Sequence, residues 1–269
     1  MICGSISILF ALQGRLDLAV YLLLIAMIFD FLDGFVARWQ NTQGEMGKQL
    51  DSLADMISFG LAPGVLTFVL LIISSSVLFS GALQQSLIMP SMGESVKLLI
   101  DLYFKHLLYG ADTSDYIVFH GWQLVLPFVS LFIPFFSLFR LAKFNLDTRQ
   151  SEQFIGLPTP ANTLFFSGLA LTLWFGYNDL GNGNLLAEIV IREQILMSIT
   201  VFFSVLLIVE IPLIALKFKN MSLKSNWDKY LLLLGALILV LVLRQFALPF
   251  IVLLYLFLSI ISFFYNKSH

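Results

Sequence analysis

The chain has 269 residues, 59% of them hydrophobic and 12% charged, with a mean hydropathy of +0.91 and a net charge of −2. That composition excludes an ordinary water-soluble globular domain, and so small a charge, with no dense run of lysine and arginine, excludes a nucleic-acid partner. The single cysteine, Cys3, excludes an intramolecular disulfide.

What remains is an all-α polytopic transmembrane helical bundle, read as one domain over residues 1–269. Met1 opens directly onto an apolar stretch, without the charged leader or small-residue cleavage site of a secretory signal. Residues 2–12 are too few to cross about 30 Å of hydrocarbon, and Gly14 with Arg15 makes a turn. The second helix is predicted from Leu16 through YLLLIAMIF to Arg38, followed by the polar loop WQNTQGE. The third is predicted over 47–75, roughly 43 Å at the α-helical rise, with a kink where Gly60, Pro63 and Gly64 interrupt it.

Residues 80–121 are too polar to span and form a non-cytoplasmic excursion. Within it Lys97, Asp101 and Lys105 recur every four residues, with Leu98, Leu99, Leu102 and Leu108 largely elsewhere. That pattern predicts an amphipathic helix on the membrane surface. His106 and His120 stand at no metal-ligand spacing and read as surface structure. Further crossings are predicted at 123–141, 157–177, 195–216, 230–243 and 246–265, giving about 7–8 helices. Connections on one side collect ten of the 15 lysines and arginines, against five on the other. By the positive-inside rule the segment 30–55 then faces the cytoplasm, in a multi-pass protein of the cell's inner membrane.

The chemistry is concentrated in 30–55, DFLDGFVARWQNTQGEMGKQLDSLAD. Asp30 and Asp33 share a helix face with Gly34 and Ala37, and Asp51 and Asp55 share another with Gly47. Small residues there leave room for a ligand against the backbone. A carboxylate in a membrane costs about 2.5 kcal/mol or more, and four together repel one another. Any one of these acids alone reads as a solvated charge at a loop end, but the set at these spacings calls for cations. Oxygen-only ligands favour hard divalent ions, Mg²⁺, Mn²⁺ or Ca²⁺, and converging carboxylates suit a two-metal site for phosphoryl transfer. Arg38, one turn beyond Gly34, has the fork of donors to hold a phosphate.

Asp30, Asp33, Gly34, Ala37, Arg38, Gly47, Asp51 and Asp55 together match the motif of the CDP-alcohol phosphotransferase family. The resemblance implies a membrane enzyme that displaces CMP from a CDP-linked substrate. It implies two divalent metals, Mg²⁺ or Mn²⁺, on Asp30, Asp33, Asp51 and Asp55, with Asp55 also the general base. Gly34, Ala37, Arg38 and Gly47 would then contact cytidine and diphosphate. DSLADMISFGLAPG, RLAKFN and FIGLPTPA resemble the bacterial CDP-diacylglycerol–serine branch, and the likeness covers about residues 2–165. It implies CDP-diacylglycerol and serine as substrates, phosphatidylserine and CMP as products, and a homodimer. Members of the family carry more chain before the pair seen here as Cys3 and Gly4, including polar residues that help form the nucleotide site.

Arg140 and Asn145 end a helix on the same side and offer donors to a serine carboxylate or a phosphate. Lys143 and Arg149 read equally well as positive-inside anchors, and Leu157 to Pro160 as a rigid site wall. Glu210, an acid inside a predicted span, reads as a helix-end or packing residue. Two alternatives stand beside this reading. One is the same chemistry with glycerol 3-phosphate or inositol phosphate as acceptor. The other is a carboxylate-lined cation transporter, which would place its acids near the midplane of several helices.

Overall fold

The computed structural model describes residues 1–39, 44–76, 92–110, 115, 117–119, 121–146, 154–176, 185–214 and 226–267. Expectations for His120, Arg149, the loop residues 40–43 and the lysines at 217–224 lie outside them. The helices are α1 (Ile2–Leu12), α2 (Leu16–Trp39), α3 (Glu45–Asp55), α4 (Ala62–Ser75), α5 (Met92–Tyr109) and α6 (Trp122–Val125). They continue as α7 (Phe132–Leu146), α8 (Thr159–Gly176), α9 (Leu185–Val190), α10 (Glu193–Leu206), α11 (Trp227–Leu243) and α12 (Ala247–Lys267). Among the described residues, Leu16–Val36, Glu45–Ser75, Trp122–Leu146 and Trp227–Phe264 are long and apolar enough to cross a membrane.

Helix α4 is the axis of the molecule. Its sequence APGVLTFVLLIISS is apolar all round, as a helix enclosed by others should be, and every residue from Val69 to Ile73 is essentially inaccessible. Helices α1, α8, α10 and the Leu126–Leu131 turn before α7 pack against it. Close approach is possible because Gly64 faces Pro134: a Cβ there would lie 2.8 Å from the proline Cδ. In the same way Gly168 brings α8 against Pro249 of α12, where a Cβ would meet Cδ at 2.4 Å.

The kink expected from Pro63 takes the form of a π-turn, Met56–Leu61, joining α3 and α4 into one continuous helix. Within it the Ala62 N–H reaches back to Ile57 O, five residues away. Proline has no N–H to give the carbonyl one turn earlier, and widening the turn accommodates the mismatch.

The crossing expected at 195–216 is shorter than predicted. Helix α10 ends at Leu206, and Pro212–Leu213 pairs antiparallel with Phe154–Ile155, Phe154 opposite Leu213. Pro212 has no ladder N–H and steers Ile211 away from helical geometry. The Gly156 N–H donates to Ile211 O and the Leu157 N–H to Leu206 O, both at 3.0 Å, with Gly156 at φ +80°. Glu210 therefore sits in a non-helical link at the foot of the bundle and not inside a spanning helix.

Helix α5 buries Val96, Leu99, Ile100 and Tyr103 and exposes Lys97, Asp101 and Lys105. His106 corrects the sequence reading: its side chain is fully buried, on the apolar face. The Phe119 N–H donates to Nδ1 at 3.3 Å, so Nε2 carries the proton and donates to Asp115 Oδ2 at 2.8 Å. Lys105 donates to both oxygens of Asp115 at 2.8 Å. These hydrogen bonds, Lys105's first, hold the Asp115 carboxyl below the ordinary carboxylate value. The break predicted at Arg244 and Gln245 is a 3₁₀ turn, Arg244–Phe246, with Arg244 at φ 49°, and α11 and α12 pack against each other across it.

Candidate active site

Three carboxylates converge where the second half of α2 passes the end of α3, just before the π-turn. Oxygens of Asp30, Asp51 and Asp55 lie within 4.8 Å of one another, with Asp30 and Asp55 partly buried and Asp51 exposed. Asp30 and Asp55 are close enough to share a hydrogen bond. Helical spacing explains the meeting: Asp51 and Asp55 are one turn apart on α3, and α2 brings Asp30 alongside. Asp33 lies outside this triplet, exposed one turn further along α2, where its charge still acts on Asp30 and Asp51.

The donor set fits a hard divalent cation. All its atoms are carboxylate oxygens, their separation is that of ligands sharing an ion, and like charges so close need a counter-charge. Around them there is space, since a Cβ added at Gly34 or Gly47 would meet nothing within 4 Å. Of Ala37 and Arg38 the structure describes the backbone, as part of α2.

Arg140 lies on α7, which packs against the π-turn that follows Asp55. Only 8% exposed, it lies with Nη1 3.4 Å from Thr159 Oγ1 and its guanidinium 5.9 Å above the Phe144 ring. Its charge acts on Asp55 and on Tyr255 of α12. Among the described residues no carboxylate approaches it within ion-pair distance, and Nε is buried without a hydrogen-bond partner. A buried guanidinium left in that condition is destabilising by a few kcal/mol unless an anion joins it.

Asn145, at the end of α7, is tied to α3 by hydrogen bonds. Its Nδ2 donates to Ser52 Oγ at 2.8 Å, Ser52 Oγ donates to Lys48 O at 3.1 Å, and Lys48 Nζ donates to Asn145 O at 3.2 Å. This loop of bonds ties the end of α7 to α3 between Asp51 and Asp55. Lys143 pairs with Glu210, both partners about half exposed, linking α7 to the segment after α10.

Sequence reasoning missed the hydroxyls of α8. Thr159 meets Arg140, and Thr163 Oγ1 lies 3.1 Å from Phe59 O, so α8 supports both the arginine and the π-turn. The available signal was polar residues one turn apart, Thr159, Asn162 and Thr163, at the head of an otherwise largely apolar helix.

A family model described as CDP-alcohol phosphatidyltransferase matches residues 1–90, a stretch that holds all four aspartates and ends before Arg140. The chain is similar to the CDP-diacylglycerol–serine O-phosphatidyltransferase of Bacillus subtilis, 27% identical over 184 residues, or 66% of this chain and 72% of the relative. It is 28% identical over 241 residues to the protein of that description from Helicobacter pylori strain 26695, covering 89% and 76%. With the archaetidylserine synthase of Methanothermobacter thermautotrophicus it shares 30% over 172 residues, 63% of this chain but only 53% of the relative.

Proposed function

We propose that the chain, whose residues 1–90 match the CDP-alcohol phosphatidyltransferase family model, belongs to that family and transfers the phosphatidyl group of CDP-diacylglycerol to L-serine, giving phosphatidylserine and CMP. The observation that supports this reading is the convergence of Asp30, Asp51 and Asp55, next to a turn against which α7 packs with its buried Arg140, which has no ion-pair partner among the described residues. The relatives named for serine transfer supply the acceptor.

In this reading Asp30, Asp51 and Asp55, with Asp33 at their edge, hold Mg²⁺ or Mn²⁺, in a two-metal arrangement. Such ions, when bound, offset the charge of the diphosphate. Asp55 takes the proton of the serine hydroxyl as its oxygen bonds to the β-phosphorus. The bond from that phosphorus to the bridging oxygen breaks, and CMP leaves with the electron pair. Gly34, Ala37, Arg38 and Gly47 border the nucleotide, and Arg140 receives the serine carboxylate, which relieves its lack of a partner. Asn145, bound to Ser52, contributes by holding α3 in place.

Placement follows from the same features. In this reading the aspartates face the cytoplasm from the inner membrane, an orientation that the ten-to-five division of lysine and arginine supports. Lipid tails then stay in the bilayer while serine and CMP exchange with water. The 7–8 crossings and the surface position of α5 belong to this reading, with the exposed Lys97, Asp101 and Lys105 in its support. A homodimer rests on family resemblance. A cation transporter leaves the buried Arg140 without a role.

The test is CMP release by purified protein supplied with CDP-diacylglycerol, Mn²⁺ or Mg²⁺, and serine. Release with glycerol 3-phosphate but not with serine would show the acceptor to be wrong.

A further inference from the structure

We propose that Asn162 determines acceptor specificity, its carboxamide hydrogen-bonding the α-amino-acid head of the alcohol that attacks. This rests on the serine-transfer reading above. Three segments meet next to Asp55. Ser137 of α7 faces Gly60 of the π-turn, its Cβ 3.2 Å from where a glycine Cβ would stand. Thr163 of α8 reaches Phe59 O at 3.1 Å, and Arg140 reaches Thr159 at 3.4 Å.

On these segments lie Ser58 Oγ, Ser137 Oγ, Arg140 Nε and both amide atoms of Asn162. They are five of the seven buried side-chain polar atoms that find no partner among the described residues. Elsewhere in the bundle buried hydroxyls turn back to their own helix, as Thr67, Thr172, Thr200 and Ser204 do at 2.7–2.8 Å. The carboxamide of Asn162, at 0% exposure, makes no such bond.

Together these groups offer a cation and an amide donor suited to a carboxylate, and amide and hydroxyl acceptors suited to an ammonium. An amino-acid zwitterion uses both halves. A phosphorylated polyol has no ammonium and would leave Asn162 Oδ1 unpaired, and a site built for hydrogen bonds rejects a ligand that leaves them unmade.

The experiment measures initial rates of CMP release by the purified full-length protein with Mn²⁺, varying serine and CDP-diacylglycerol separately. For Asn162→Ala the KM for serine should rise about tenfold while that for CDP-diacylglycerol stays within about twofold. Asn162→Asp, which swaps the donor for a charge beside the serine carboxylate, should raise the serine KM further. An unchanged serine KM, or equal losses on both substrates, would overturn the assignment. If Asn162→Ala does not fold, Ser137→Ala is read the same way, with a serine-only rise of about threefold expected. A wild-type protein that ignores serine overturns the transfer reading and this inference together, whereas serine activity with an indifferent Asn162→Ala overturns this inference alone.

Discussion

The Thr163 hydroxyl of α8 lies 3.1 Å from the carbonyl of Phe59, the carbonyl one turn before Pro63, to which proline has no N–H to give. The same hydroxyl lies 2.9 Å from Thr159 O, so one side chain joins the head of α8 to the π-turn that follows Asp55. Thr163→Val keeps the volume and removes the donor. It should cost about 1–3 kcal/mol of stability and lower kcat more than it raises either KM, while Thr163→Ser restores both. Thermal unfolding and steady-state kinetics check this, and a fully active valine variant would contradict it.

Neutralising Asp51 should separate stability from function. With metal chelated, Asp51→Asn relieves repulsion among the clustered carboxylates and should raise the unfolding midpoint, by roughly 1 kcal/mol or a few degrees. With Mn²⁺ present the variant should lose most of the metal-induced rise seen in wild type. A wild type whose midpoint ignores Mn²⁺ and Mg²⁺ would show that the triplet is not a metal site.

Asn145→Ala removes the bond to Ser52, which sits between two aspartates of α3. The expected effect is a loss of about 1 kcal/mol in stability and roughly tenfold weaker Mn²⁺ activation, as for other groups that orient metal ligands from behind. Glu210→Gln, by contrast, weakens a half-exposed pair with Lys143. Such pairs are worth at most about 1 kcal/mol, and activity should stay within about twofold.

The clasp around His106 has a pH dependence of fixed sign. Asp115 is depressed by its bonds to Lys105 and His106, so its contribution is present above the unfolded carboxylate value, about 4, and is lost as pH falls through its folded value. Unfolding midpoints of wild type and Asp115→Asn should therefore differ near neutral pH and converge in acid. A gap that widens in acid would contradict the pairing.

Part of the site was legible because carboxylates in a membrane protein form a costly local pattern. Spacing alone put Asp30 and Asp33 on one stripe and Asp51 and Asp55 on another, of which the structure brings Asp30, Asp51 and Asp55 together, and the long helix through Pro63 was visible as an apolar run. What spacing could not show was the long-range partnership. Asn145 pairs with Ser52 across 93 residues and Thr163 with Phe59 across 104, and nothing local distinguishes a threonine that bonds its own helix from one that bonds another. Glu210 and His106 were misplaced for the same reason. A short apolar run reads alike as spanning helix or as helix, turn and strand, and a histidine's burial depends on Phe119 and Asp115 folding back over it.

The most direct measurement is the formation of phosphatidylserine by wild type and Asp55→Asn side by side, with CDP-diacylglycerol, serine and Mn²⁺, after confirming that both proteins fold. The expected result is metal-dependent product with wild type, abolished by chelation, and none above background with Asp55→Asn. Substantial turnover by the folded Asp55→Asn protein, or product formation indifferent to chelation, would contradict the role given to the carboxylates.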